Sequence, residues 1–186
     1  MPKHLIRNFF ILTLLLLTST RPENITPAAS SPAYSPIRFA VIGDYGFAGQ
    51  PEADVAALIK SWEPDFIITT GDNNYDTGSA SSIDANIGQY FHDFIHPYLG
   101  GYGAGATENR FFPSMGNHDW ETPNAQPYLD YFSLPGNERY YEFVRGPVHF
   151  FMLNSDAREP DGISATSIQA EWLKIGWAHQ PAHGKL

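Results

Sequence analysis

Residues 37–46 have the sequence IRFAVIGDYG, in which a largely apolar run ends at a Gly-Asp pair. Two later stretches are similar: residues 66–75 have the sequence FIITTGDNNY, which again ends in a Gly-Asp motif, and residues 111–119 have the sequence FFPSMGNHD, in which Gly-Asn takes that place. Each apolar run is typical of a buried strand. The polar residues that follow are expected at the carboxyl edge of one parallel sheet, where α/β proteins bind ligands.

The residues between the first two strands predict a helix. Pro51 suits its first turn, since proline has no backbone N–H to satisfy there. An apolar face is predicted from the spacing of Val55, Leu58, Ile59 and Trp62. Residues 37–70 are therefore a predicted βαβ unit with a parallel pair of strands and a right-handed crossover.

The remaining elements are predicted from the same signals. Helices are expected over residues 82–98 and 127–132, and a β-hairpin is expected from strands 140–144 and 148–153. Thr166 and Gln169 have the spacing of a capping box, which predicts the start of a last helix. The predicted fold class is α/β, with a mostly parallel sheet and βαβ crossovers.

The composition suits one acidic domain. The chain has 186 residues, of which 42% are hydrophobic, and its formal net charge is −9. An acidic chain without a basic block is a poor nucleic-acid binder, so no nucleic-acid partner is expected. The absence of cysteine from the sequence excludes disulfides, thiolate zinc sites and a cysteine nucleophile.

Residues 1–20 have the features of a signal peptide. Lys3, His4 and Arg7 form a basic start, and the apolar run over residues 9–17 is short for a membrane span. A cleaved signal peptide is favoured over an uncleaved anchor, so the mature protein is expected to be secreted or periplasmic, with no membrane partner.

The domain organisation follows from where proline and apolar residues concentrate. Residues 21–36 are a predicted Pro/Ser-rich linker, residues 37–175 a predicted domain, and residues 176–186 a predicted tail.

The three strand ends carry candidate metal ligands. One Asp after Gly is usually a turn former, but three such motifs in register favour a metal site. Asp44 and Asp72 offer carboxylates, and a carboxylate can bridge two divalent cations. Tyr75 and Asn117 offer further oxygens, and His118 offers an imidazole that can protonate a leaving alkoxide.

These motifs resemble the calcineurin-like metallophosphoesterase superfamily and, within it, the purple acid phosphatases of the small single-domain type. The tyrosine of the second motif and the glycine that ends the first, Gly46, point to that subgroup. The strand over residues 150–155 also resembles the family's later core strand. The resemblance implies a partial αββα metallophosphoesterase sandwich.

The same resemblance implies hydrolysis of a phosphate ester, of the phosphomonoesterase type, at a dinuclear metal centre. It implies that Asp44 and Tyr75 bind Fe(III), that Asp72 bridges both ions, and that Asn117 binds Fe(II), Zn or Mn. It implies that His118 acts as an acid or positions the substrate. Asp119 is a possible orienting residue for that histidine.

The chain departs from the family pattern after the last predicted helix. The family's later histidine motifs, including Gly-His-x-His, are not found, and fourteen residues follow Trp172. His179 and His183 are expected to be incidental. We therefore expect the C-terminal half of the sandwich to be missing, metal to bind weakly, and hydrolysis to be slow.

Two other functions remain open. One is a non-catalytic binding or interaction module that keeps the fold. The other is a carbohydrate-binding surface, although most of its aromatic side chains are expected in the core: Trp120, Tyr128, Tyr131, Tyr140 and Tyr141.

Overall fold

A computed structural model describes residues 35–179 of the chain. The predicted signal peptide, residues 21–34 of the predicted linker, and His183 lie outside the described residues. Along the described part, the strands and α-helices follow one another in this order: β1 (Phe39–Ile42), α1 (Gln50–Ser61), β2 (Phe66–Thr69), α2 (Gln89–Phe91), β3 (Phe111–Pro113), α3 (Gln126–Tyr131), β4 (Tyr141–Arg145), β5 (Val148–Met152) and α4 (Ile168–Ala178).

The three glycine-led motifs follow three neighbouring parallel strands. β2 lies between β1 and β3, with Ile67 opposite both Ala40 and Phe111. Because all three strands run in the same direction, their carboxyl ends share one edge of the sheet. The expected α/β fold with a parallel sheet is confirmed.

The second sheet covers one face of the first. β4 and β5 pair antiparallel, which confirms the predicted hairpin. Phe143 of this hairpin stacks on Phe112 of β3 with ring centroids 3.8 Å apart. Trp172 of α4 packs on the hairpin, with its ring centroid 5.9 Å from that of Phe151.

The opposite face of the first sheet packs against helices. Ala40, Ile67 and Phe111 belong to one core cluster with Ile59 of α1 and Phe91 of α2. The described layers therefore run helix, sheet, sheet, helix, which is the partial αββα order that the resemblance implies.

The face that α1 buries differs from the prediction. Glu52, Ala56 and Ile59 are buried, whereas three residues of the predicted face are exposed: Val55 at 43%, Leu58 at 52% and Trp62 at 49%. Apolar periodicity finds a helix but not the neighbour it packs against. Small Ala56 can approach the sheet closely, and the larger apolar side chains lie on the outer side.

The predicted helix over residues 82–98 is shorter and irregular. A π-helical turn, Asp84–Gly88, precedes α2, and a 3-10 turn, His92–Phe94, follows it. The helix ends before Pro97, because proline lacks an N–H and restricts the residue preceding it. Its apolar face is nevertheless buried as predicted: Ile83, Ile87, Tyr90, Phe91, Phe94 and Ile95.

The predicted cap of α4 is wrong by one residue. Ser167 is the N-cap, and its Oγ accepts a hydrogen bond of 3.1 Å from the backbone N–H of Ala170. The Gln169 side chain is directed to Asn154 instead. α4 continues to Ala178, beyond the point where the tail was predicted to begin.

The aromatic residues considered for a carbohydrate surface lie in the core. Their exposed fractions are all below 10% in Trp120, Tyr128, Tyr131, Tyr140 and Tyr141. Within residues 35–179, no helix is long and apolar enough to cross a membrane.

A buried acid near the start of α1 makes stability depend on pH. Glu52 is 5% exposed, and neither carboxylate oxygen has a hydrogen-bond partner within the described part of the chain. Burial raises the pKa of Glu52 to about 8, although the nearby backbone of Phe47 opposes this rise. Tyr45 lies nearby, and burial followed by the charges of Asp119 and Glu52 raises the pKa of that phenol.

We expect Glu52→Gln to stabilise the protein increasingly as the pH rises. The carboxyl ionises near 4.5 when unfolded and near 8 when folded, so stability is lost between these pH values. One pKa unit corresponds to about 1.4 kcal/mol, so the variant should gain about 4 kcal/mol over wild type between pH 4.5 and pH 8.5. Urea unfolding across this range measures the difference. Exposed Glu63→Gln is the control, and parallel profiles for Glu52→Gln and wild type would contradict the expectation.

Candidate metal centre

Two aspartates at the carboxyl edge of the sheet have an uncommon backbone conformation. Asp44 and Asp72 follow β1 and β2, and each has φ of 54°. Few residues other than glycine adopt this left-handed region, and such conformations concentrate at functional sites. The two loops are joined by a hydrogen bond of 3.1 Å from the Asp44 N–H to the Gly71 carbonyl.

The phenol of Tyr75 lies between these two carboxylates. Its hydroxyl is 3.1 Å from Oδ1 of Asp44 and 3.0 Å from Oδ2 of Asp72. Burial, together with hydrogen bonds to Asp72 and Asp44, raises the pKa of the Tyr75 hydroxyl well above its usual value. The structure therefore brings three predicted oxygen ligands from two loops together.

The third motif contacts the same carboxylate. The backbone N–H of His118 donates a hydrogen bond of 2.9 Å to Oδ1 of Asp72. The His118 ring centroid is 4.3 Å from that of Tyr75, and its Nδ1 is hydrogen-bonded to the Asp76 carbonyl. Asn117 precedes His118, and its side chain is exposed. Asp72 thus contacts groups from the second and third motifs directly.

Buried Asp119 connects the loops of the second and third motifs. It is 2% exposed and accepts hydrogen bonds from the Gly116 N–H at 2.8 Å and from Nδ2 of Asn73 at 2.9 Å. Burial raises the pKa of Asp119 to about 6, although these hydrogen bonds act to lower it. Within residues 35–179, no hydrogen bond joins its carboxylate to the His118 ring, so the expected orienting contact is not observed.

Asn73 supports the candidate site, although the motif pattern alone does not single it out. It is fully buried, its Nδ2 donates to the Ser114 carbonyl at 2.7 Å, and its Oδ1 accepts from Thr69 at 2.6 Å. These bonds tie the second motif to the end of β3. An asparagine directly after Gly-Asp in a short loop was the available signal, but its partners are distant in sequence.

Glycine is required where the loops meet. A Cβ on Gly46 would lie 1.7 Å from the Asn73 carbonyl oxygen, and one on Gly116 would lie 2.2 Å from the backbone nitrogen of Asp72. The motifs therefore approach each other more closely than side chains permit, which holds Asp44, Asp72 and Tyr75 together.

The donor set fits hard metal ions. It combines two carboxylates, a phenol and an amide oxygen, and oxygen ligands of this kind suit hard cations. No group of three or more His, Cys, Asp or Glu side chains in the described part of the chain forms a metal site on its own. The Tyr75 hydroxyl is the further oxygen that the structure places beside both aspartates.

The fold and these motifs agree with what comparison with known proteins finds. The model of the calcineurin-like phosphoesterase family matches residues 37–175, and the chain belongs to this family. The resemblance drawn from the motifs is thereby confirmed.

Two plant proteins illustrate where in the family the chain falls. Purple acid phosphatase 17 of Arabidopsis thaliana is 33% identical over 101 residues, covering 52% of this chain and 27% of the relative. Purple acid phosphatase 15 of Arabidopsis thaliana is 31% identical over 176 residues, covering 80% of this chain and 31% of the relative. The matches thus span less than a third of each relative's length.

Proposed function

We propose that this chain acts in metal-dependent hydrolysis of phosphate monoesters at a dinuclear centre. The observation that carries the proposal is the Tyr75 hydroxyl, which lies within 3.1 Å of carboxylate oxygens of both Asp44 and Asp72. Membership of the calcineurin-like phosphoesterase family supports a hydrolase. The net charge of −9 means that metal cations rather than basic side chains attract an anionic ester.

Each residue has a proposed role. Asp44 and Tyr75 would hold one ion, Asn117 would hold the other, and Asp72 would be a ligand to both. The ions supply a Lewis acid and an activated nucleophile when bound. Nδ1 of His118 is engaged by the Asp76 carbonyl, so Nε2 of the protonated ring is the atom that would hold a phosphoryl oxygen or give its proton to the leaving alkoxide.

The number of donors favours weak binding and slow turnover. The described residues supply four proposed side-chain ligands for two ions, which leaves each coordination shell mostly to solvent. A non-catalytic module that keeps the fold is the second candidate function, and this small donor set is the observation that favours it. Metal binding without any turnover would support that second function.

The cellular location of the protein is a separate proposal. Residues 1–20, which lie outside the described residues, are proposed to direct export, so that the protein acts outside the cytoplasm.

Hydrolysis of an activated aryl phosphate tests the proposed function. We expect slow turnover by the metal-loaded protein and a loss of about 10²–10⁴-fold in kcat in His118→Ala, because a placed acid contributes that much. Metal stoichiometry should not change. The control is His96→Ala, since His96 is exposed and bonded to the Ala106 carbonyl. The proposed role of His118 fails if both variants retain wild-type kcat.

Colour tests the proposal of ferric iron. A phenolate bound to Fe(III) absorbs visible light by charge transfer, so the iron-loaded protein should be coloured. Tyr75→Phe should remove the band while keeping the ring. Tyr102→Phe, in an exposed loop, is the matched control. An iron-loaded but colourless wild-type protein would contradict tyrosinate ligation.

A further inference from the structure

Arg158 contacts the third motif from outside the proposed metal centre. It lies in the segment between β5 and α4. Its Nη2 donates to the Asn117 carbonyl at 2.9 Å, and its Nη1 donates to the Trp120 carbonyl at 2.9 Å. These two carbonyls stand on either side of His118 and Asp119, so one guanidinium holds both ends of the motif loop.

The guanidinium is itself held in place. Asp156 accepts from Nε of Arg158 at 2.8 Å through one oxygen and from Nη2 at 2.8 Å through the other. A bidentate Arg–carboxylate pair fixes the plane of the guanidinium as well as its position. The Asp156 N–H donates to Oδ1 of buried Asn154 at 3.1 Å, which connects this pair to the core.

The peptide unit between Asn117 and His118 connects Arg158 to Asp72. A peptide unit is planar, so its C=O and N–H turn together. The oxygen of this unit accepts from Arg158 at 2.9 Å, and its N–H donates to Oδ1 of Asp72 at 2.9 Å. A cation on the oxygen also polarises the amide, which strengthens the N–H as a donor.

We propose that Arg158 is a positioning residue for the metal centre. Through the peptide unit of Asn117 and His118 it orients the Asp72 carboxylate, and it holds both residues at the sheet edge. The effect on metal binding rests on the proposed function, whereas the effect on the peptide unit does not. Supporting residues of metal ligands are typically worth about 10–100-fold in metal affinity, and Arg158→Gln should lose that much.

The metal-free protein provides the first test. In ¹H–¹⁵N spectra of the full chain, Arg158→Gln should move the His118 amide proton upfield, because its hydrogen bond to Asp72 weakens. Arg158→Lys can hold only one carbonyl and should give an intermediate shift. Arg38→Gln is the control, since Arg38 also donates to a carbonyl, that of Trp62 at 2.6 Å. An unmoved His118 amide in Arg158→Gln would falsify the positioning role.

Calorimetric titration with Mn²⁺ provides the second test. Arg158→Gln should bind Mn²⁺ about 10–100-fold more weakly than wild type, and Asp156→Asn should show a smaller loss in the same direction. The melting temperature of each variant shows whether a loss of Mn²⁺ affinity comes from general destabilisation. Arg38→Gln should retain wild-type affinity. Unchanged Mn²⁺ affinity in Arg158→Gln overturns its role toward the metal. If wild type binds no Mn²⁺, the proposed function fails, and the amide measurement still decides the positioning role.

Discussion

Asp72→Asn is expected to abolish metal binding and hydrolysis almost completely. Asp72 is the proposed bridging ligand, and it already contacts Tyr75 at 3.0 Å and the His118 N–H at 2.9 Å. Asparagine keeps the size of the side chain but removes the charge and one ligand oxygen. The loss of affinity should exceed the roughly 100-fold upper range for residues that only support ligands. Calorimetric titration with iron, zinc and manganese ions measures it.

Two further variants test whether the effect of Asp72→Asn comes from a bridging role. Asp44→Asn should weaken binding less, because Asp44 is proposed to hold one ion only. Asp54→Asn on the exposed side of α1 should change nothing at the site. Equal and small effects for Asp44→Asn and Asp72→Asn would rule out the bridging role.

Gly46→Ala is expected to damage both the fold and the site. The new Cβ would lie 1.7 Å from the Asn73 carbonyl oxygen and 2.8 Å from the Asn74 nitrogen, which are backbone atoms that no rotamer change can move. Overpacking of this kind costs about 1–3 kcal/mol, and a backbone clash belongs at the upper end. The two loops must separate, so Asp44 moves away from Tyr75. Urea unfolding and metal titration report the two effects.

Gly101→Ala is the matched control for this prediction. The nearest atom that its Cβ would meet is Oδ2 of Asp84 at 3.8 Å, an ordinary contact. Both variants make the same chemical change in a loop, so the difference between them isolates the close approach. If Gly46→Ala unfolds at the wild-type urea concentration and binds metal normally, the packing of the two loops does not control the site.

The strands and the edge of the sheet could be predicted because their signals are local. Continuous apolar runs such as residues 66–70 mark buried parallel strands, and glycine followed by aspartate marks their ends. The face of α1 could not be predicted, because Val55 and Leu58 satisfy the helical period as well as Ala56 does. Which of these side chains is buried depends on the neighbouring layer.

The convergence of Asp44, Asp72 and Tyr75 was predictable from motif order, but the partners of the supporting residues were not. Asp119 follows His118 directly, and yet its carboxylate bonds Asn73 and Gly116. A neighbour in sequence is not the preferred partner when burial favours groups that would otherwise remain unsatisfied.

The sequence by itself determined where the three strands end and which polar side chains follow them, because each of these depends on residues adjacent in the chain. Only the tertiary structure decided which face of α1 is buried, what holds the His118 ring, and that Arg158 bonds the Asn117 carbonyl across 41 residues. Such contacts form when separate elements pack, and hydrogen-bond partners are then chosen by distance and geometry rather than by sequence spacing.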